Sequence, residues 1–298
     1  MAGADGCLYP PGPTPGPAPL CSDGFRVDTG DVQTVRPPAV AGAFYPGQPS
    51  TLARQVTSLL EEARANLRAG TQAPKALLLP HAGYVYSGST AALGYAALAP
   101  AAATLRRVVL LGPTHRVAVD GLALPGVEAF DTPLGRVPVG DVDPAVRAVL
   151  PQLIESRGAH AMEHSLEVHL PFLQSVLDDF TLVPLAVGRA TPDQVADVLD
   201  ALWGGPETLV VVSSDLSHYL TYDAAEALDL ATVAQVLRLD APLTHDQACG
   251  ATPANGLLVA ARRHGLRPQL LGRCSSGDTA GDRRRVVGYA AVAFLQGT

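Results

Sequence analysis

The chain has 298 residues, a formal net charge of -7 and 16% charged against 47% hydrophobic residues, where about 25% charged is usual. The acidic balance disfavours a nucleic-acid footprint, and no apolar run reaches the roughly 18 residues of a membrane span. The N-terminus lacks the basic stretch and apolar core of a secretory signal, and the four cysteines, at 7, 21, 249 and 274, make no CxxC and no disulfide framework, so a cytoplasmic protein is expected.

Residues 1–34 contain PPGPTPGP and cannot pack a core; they are read as a disordered leader ahead of an α/β domain over 35–298. Cys7 and Cys21 fall in that leader as incidental thiols. Small residues in RPPAVAGAFYP allow close backbone approach. Leu52, Val56, Leu59, Leu60, Ala63 and Leu67 recur at helical spacing after Ser50, with Gly70 as the stop. A first strand, Ala76–Leu79, leads to His81; a helix over Ser89–Leu98 follows a glycine- and tyrosine-bearing loop. That loop has neither GxGxxG nor a P-loop ending, so a phosphate cradle is a weak reading. A second strand, Val108–Leu111, leads to His115. Residues 121–139 are broken by Pro and Gly and predict a hairpin or meander, and a short helix follows over 143–150.

In EHSLEVHLPFLQSVL, residues 163–177, Leu166, Leu170, Leu173 and Leu177 make one helical stripe, and Pro171 kinks or starts a helix. The turn 163–168 then stands apart and presents His164 and Glu167. A strand over 180–187 and a helix over 192–202 precede the third core strand, Leu209–Val212, which opens into Ser213-Ser214-Asp215-Leu216-Ser217-His218. A long helix over 223–239 comes next. Thr252-Pro253 reads as a cap and first-turn proline launching a helix to about His264, and strands are expected at 270–271 and 286–294.

Short, continuously apolar, β-branched runs are strands buried on both faces, and ligands in such sheets bind beyond the strands' carboxyl ends. Three such ends carry His81, His115, and Asp215 with His218, so one shared site is expected. Imidazole and thiolate suit borderline and softer transition metals, and Cys249 lies just before a helix. Two histidines and a cysteine leave a coordination position open. Asp215 and His218 are candidates for proton transfer. A serine nucleophile at 213 or 214 lacks a GxSxG elbow. Cys274 reads as inert, His160, His245 and His264 as solvated, and His169 as either core or surface.

RPPAVAGAFYP, LPHAGYVYSG, LLGPTHR, EHSLEVHLPF, VVSSDLSHY and ACGATPANG, taken in order over about residues 36–296, resemble the MEMO family, which includes the B protein of the AmmeMemoRadiSam system. The resemblance implies the fold of extradiol, class III non-haem iron dioxygenases: a three-layer α/β/α sandwich around a central, mostly parallel sheet. Carried over motif by motif, it implies iron or copper held by His81, His115 and Cys249. Asp215, His218 and His164 would line the pocket as catalytic groups. A cysteine where the dioxygenases carry a carboxylate argues against ring cleavage and for Cu(I) or redox chemistry. Two functions are therefore expected. One is a metal-binding protein with possible oxidoreductase activity on an unknown small molecule. The other is a binding module that takes a peptide or partner in the same pocket, where Tyr84, Tyr86 and Arg116 suit such contacts. A place beside radical SAM and AMMECR1-like partner proteins is a third, weaker expectation.

Overall fold

The computed structural model describes residues 34–67 and 72–297. The leader with Cys7 and Cys21, and the helix stop expected at Gly70, lie outside the described residues. In chain order the elements are β1 (Val35–Arg36), α1 (Pro49–Asn66), β2 (Ala76–Leu79), α2 (Tyr84–Ala96), β3 (Arg107–Pro113), β4 (Leu122–Leu124), β5 (Ala129–Thr132) and β6 (Gly135–Pro138). There follow α3 (Pro144–Val149), β7 (Leu153–Glu155), α4 (Arg157–Ala161), α5 (Leu170–Val176), β8 (Thr181–Val187), α6 (Pro192–Leu202) and β9 (Thr208–Ser213). The chain closes with β10 (His218–Leu220), α7 (Tyr222–Leu237), α8 (Ala251–Arg263), β11 (Arg267–Ser275) and β12 (Val286–Leu295).

The apolar runs do become the buried strands. β2, β9, β3 and β8 lie side by side and parallel at the centre of a nine-stranded sheet. Towards the edges the pairing turns antiparallel, β12 against β2, with β10 and β11 against β12 on one flank, and β4 against β8 on the other. Because successive side chains face opposite ways, each strand feeds two separate cores. Leu77, Leu79, Val108, Leu110, Leu182 and Val211 pack with α1, α2 and α5. Leu78, Val109, Leu111, Val183, Val210 and Val212 pack with α6 and α8 on the other face. Helices on both faces of one sheet make an α/β/α sandwich. Each fully buried Leu or Val contributes about 1.5–3 kcal/mol, and the central strands are buried almost throughout.

Local signals explain most boundaries. Thr191 and Gln194 form a reciprocal capping box, with Pro192 in the first turn of α6. Pro171 stands in the first turn of α5, and the residues before it, Glu167–His169, make a single 3-10 turn. Residues 163–166 are not helical, and of the expected stripe Leu166 and Leu177 lie beyond the ends of α5.

Elsewhere the structure departs from the sequence pattern. α2 begins at Tyr84, not Ser89, because Tyr84 is anchored by its hydroxyl donating to Val168 O at 2.7 Å. Gly88 then sits against α1, where an added Cβ would come 3.0 Å from Leu59. α8 begins at Ala251 after Gly250, so Pro253 is the third residue of the helix, still in the first turn where no backbone donor is needed. The 121–139 stretch divides: β4 joins the large sheet, while β5 and β6 form a hairpin that pairs with β1 in a separate three-stranded sheet. β11 is nine residues long rather than a two-residue strand.

Candidate metal centre

β2, β3 and β9 run in register, so their carboxyl ends deliver Leu79-Pro80-His81, Pro113-Thr114-His115 and Ser213-Ser214-Asp215 to one rim of the sheet. The non-helical turn after α4 brings His164 over the same rim. The ring centroids of His81 and His115 are 5.2 Å apart, those of His81 and His164 5.4 Å, and His115 and His164 stack at 4.6 Å. One ring nitrogen from each of the three lies within 4.8 Å of the others. These side chains, with Asp215, His218 and Cys249, line a cavity of about 730 Å³. A second cleft, of about 590 Å³ beside Arg106 and Phe180, is lined by no histidine or cysteine.

Each imidazole is held by a different device. Glu163 Oε1 lies 2.8 Å from His115 Nδ1, and its Oε2 accepts from His115 N at 2.6 Å. The same carboxylate accepts from the backbone of His164 and Ser165, both at 3.0 Å, and stands 3.3 Å from His164 Nδ1. Burial alone would raise Glu163, yet the hydrogen bonds from His115 and Ser165 hold it down at about 2. It is therefore a carboxylate, and His115 donates from Nδ1 to it, leaving Nε2 free. A carboxylate behind an imidazole is the usual outer partner of a metal-bound histidine.

His81 is almost fully buried and its Nδ1 lies 2.6 Å from Ser213 Oγ. Burial first, then the neighbouring His164 and His115, push it well below the usual imidazole range. Burial likewise brings His164 to about 4. Both are thus neutral near pH 7, the form that offers a lone pair. His164 also packs against Phe44, ring centroids 4.7 Å apart.

Cys249 Sγ sits 3.2 Å from His81 Nε2 and accepts from Asp215 N at 3.3 Å. Burial, and then Asp215, push its thiol up to about 12, so without a cation it is a thiol that donates to His81. Asp215 Oδ1 accepts from His81 N at 2.7 Å. Burial raises its carboxyl to about 7, against the hydrogen bonds from the backbone of His81 and Ala82. His218 Nδ1 donates to Leu216 O at 2.8 Å, and burial lowers its pKa.

The donor set fits a transition metal. Nitrogen and sulfur ligands at about 2.1 and 2.3 Å in a tetrahedral shell stand roughly 3.5 Å apart, close to the His81–Cys249 separation. Neutral imidazoles with one nitrogen tied back and the other free are what such an ion requires. The compact trio is His81, His115 and His164, one ring nitrogen from each lying within 4.8 Å of the others. Cys249 adjoins that trio through His81.

Glu167 does not reach the cavity. It is fully buried and accepts from Arg36 Nη1, Ala39 N, Val40 N and the Tyr45 hydroxyl. Arg36 in turn donates to His160 O and Glu163 O, both at 2.6 Å. This clamp fastens the segment bearing Phe44 to the turn bearing His164. His160, expected in solvent, is buried with Nε2 donating to Ala123 O at 2.7 Å; a polar sequence context did not foretell a helix turned inward. Of the groups given no role at this site from the motifs, Glu163 and Ser165 matter most here, and Ser213, weighed only as a nucleophile, hydrogen-bonds to His81. The one advance sign was Glu163 directly preceding His164 in the EHS triplet.

A family model described as Memo-like protein matches residues 36–293. The chain is 36% identical over 276 residues to a MEMO1 family protein of Methanosarcina acetivorans, covering 87% of this chain and 98% of that one. MEMO1 family proteins of Ignicoccus hospitalis and Sulfolobus acidocaldarius are 34% and 32% identical over 285 and 282 residues. Each covers 87% of this chain, and 98% and 99% of those proteins are matched. The six motifs, the sandwich they build and these full-length matches agree: the chain belongs to the Memo-like protein family.

Proposed function

We propose that the protein binds a redox-active transition metal, iron or copper, at the carboxyl ends of β2, β3 and β9, and acts as a metal-dependent oxidoreductase on a small molecule admitted to the 730 Å³ cavity. The observation that carries this reading is the trio of imidazoles with one nitrogen from each within 4.8 Å, beside a cysteine sulfur 3.2 Å from His81 Nε2. His81, His115 and Cys249 are the ligands proposed from the sequence, and the geometry adds His164. When bound, the ion supplies a Lewis-acid and one-electron centre and makes Cys249 a thiolate.

The chain's own residues do the rest. Glu163 orients His115, and Asp215 fixes the backbone of His81 while its own backbone N–H supports Cys249. Asp215 and His218 line the same cavity and are the groups placed to accept or return a proton. Phe44 packs against the His164 ring at the wall of the cavity. A cysteine in place of a carboxylate favours a softer, more reduced ion over the dioxygenase arrangement. The free thiols of Cys249 and Cys274 fit the reducing cytoplasm. No helix among the described residues is long and apolar enough to cross a membrane.

A second reading is supported by one feature. The cavity continues into an adjoining cleft of about 410 Å³ that reaches Tyr86, Tyr219, Tyr289 and Arg285. Arg285 lies 5.0 Å over the Tyr219 ring at its edge. An extended peptide or partner segment fits that longer groove better than a small molecule does.

Elemental analysis of protein purified without a polyhistidine tag, after anaerobic reconstitution, separates the two. The metal reading expects near-stoichiometric iron or copper in the wild type and loss of it in the His81→Ala/His115→Ala variant. Equal metal in both, or none in either, leaves the groove as a binding cleft.

A further inference from the structure

His115 has a carboxylate to define where its proton sits. Among the described residues no carboxylate is hydrogen-bonded to the His81 ring, yet a metal ligand must present a bare nitrogen. The answer lies in a chain of neutral, fully buried groups behind it.

Ser213 ends β9 and is completely buried. Its Oγ has three partners: Ser165 O at 2.7 Å, His81 Nδ1 at 2.6 Å and His169 Nε2 at 2.8 Å. A carbonyl oxygen can only accept, so the single hydroxyl proton of Ser213 goes to Ser165 O. Towards both imidazoles Ser213 can then only accept. His81 must carry its proton on Nδ1, and His169 must carry one on Nε2. His169 is buried between the Tyr95 and Ser213 hydroxyls and is held neutral, at about 3, by that burial. Its Nδ1 is therefore an acceptor, and the Tyr95 hydroxyl, 2.8 Å away, donates to it. Every donor and acceptor in the row Tyr95, His169, Ser213, Ser165 has one consistent assignment.

We infer that Ser213, itself oriented by Ser165 O and by the His169–Tyr95 pair, is a positioning residue that fixes the tautomer of His81 so that Nε2 is the bare nitrogen facing the cavity. The functional meaning of this lock rests on the metal reading above; its geometry does not. The lock also links the histidines. Ser165 Oγ donates to Pro113 O, two residues before His115, and Ser165 N donates to Glu163. The turn Glu163-His164-Ser165 thus contributes His164 itself, orients His115 through Glu163, and orients His81 through Ser165 and Ser213. A carboxylate behind His81 would add a further negative charge to an interior that already buries Glu163 and Glu167. A hydroxyl fixes the same tautomer without it.

The test begins with metal-free wild-type protein labelled with 15N-histidine. Long-range 1H–15N spectra distinguish a protonated from a bare ring nitrogen, and the His81 signals are those missing in His81→Gln. The inference expects Nδ1 protonated and Nε2 bare. A protonated Nε2, or averaging between the two forms, overturns it without recourse to any further variant.

Ser213→Ala should then leave His81 Nδ1 without its acceptor and only the weak Cys249 thiol contact at Nε2 to bias the ring, giving averaged His81 nitrogens and an anaerobic ferrous-iron affinity about 10–100-fold weaker, the usual cost of losing such a partner. Tyr95→Phe should leave the His81 tautomer as in the wild type, because Ser165 O still takes the Ser213 proton. A Ser213→Ala protein that keeps His81 Nδ1 protonated with unchanged iron affinity contradicts the inference. Wild-type protein with the expected tautomer but no affinity for ferrous iron or cuprous copper supports the lock and rejects the metal reading, so the two failures are distinct.

Discussion

The two ends of the central strands hold buried polar groups of opposite kinds. At the amino end, Lys75 precedes β2 and is nearly buried. Its Nζ donates to Trp203 O, Gly205 O and Thr208 O at 2.7–2.8 Å, three donors for three acceptors. Nothing is left over, and the lysine ties the start of β2 to the start of β9. At the carboxyl end, His115 Nδ1 is held by Glu163 and His81 Nδ1 by Ser213, while His81 Nε2 has only the weak thiol donor of Cys249 against it. Burial is similar for Lys75 and His81; what differs is the partner set. Lys75 is taken up by backbone carbonyls alone and reads as structure, whereas imidazoles that bring a ring nitrogen each to within 4.8 Å of one another read as a site.

The largest effect expected tests whether the clamp around Glu167 is structural. Glu167→Ala leaves Arg36 buried without its carboxylate partner and should cost about 3–5 kcal/mol in urea unfolding. Lys75→Met sharpens the contrast from the amino end: three carbonyl oxygens lose their donor. A loss of about 2–3 kcal/mol with metal content unchanged is expected from unfolding curves and elemental analysis run side by side. A Lys75→Met protein that lost metal would break the division between the two ends.

At the carboxyl end the balance should reverse. Glu163→Gln keeps the shape but replaces the carboxylate behind His115, and iron affinity should fall about 10–100-fold, roughly 1.4–2.7 kcal/mol, in an anaerobic titration. The smallest effect concerns pH. Burial depresses His160 to about 4 in the folded chain, while an unfolded histidine titrates near 6.5. The unfolded state therefore binds the extra proton, and stability is full above about pH 6.5 and lost as pH falls towards 4. His160→Gln, which keeps a donor for Ala123 O, should lessen the loss between pH 7 and 5 by about 1–2 kcal/mol. An unchanged acid profile would mean that His160 is not charged on unfolding in that range.

The fold was largely legible because its central strands are buried on both faces. Leu77 to Leu79, Val108 to Leu111 and Leu209 to Val212 needed no alternation to be recognised, and the helix expected over 192–202 is α6. The clustering of His81, His115 and Asp215 followed from the same fact, since parallel strands in register put their ends together. What escaped notice depends on backbone placement that no periodicity encodes. β10 is three residues long and pairs with a bulge. His160 turns inward because α4 is a five-residue helix under β4. Glu163 and Glu167, four apart, look like one helical face, yet the chain between them is not helical. One serves His115 and the other Arg36. Ser213 looks like the last residue of a strand, and its role depends on Ser165 and His169 arriving from elsewhere in the chain.

X-ray absorption at the metal edge of reconstituted protein tests the central claim most directly. The account predicts imidazole scattering with a sulfur at about 2.3 Å, the sulfur lost in Cys249→Ala and the imidazole pattern lost in His81→Ala/His115→Ala. A shell of oxygen alone, or a spectrum the substitutions leave unchanged, would contradict the assignment of the free atoms at the carboxyl ends as metal ligands.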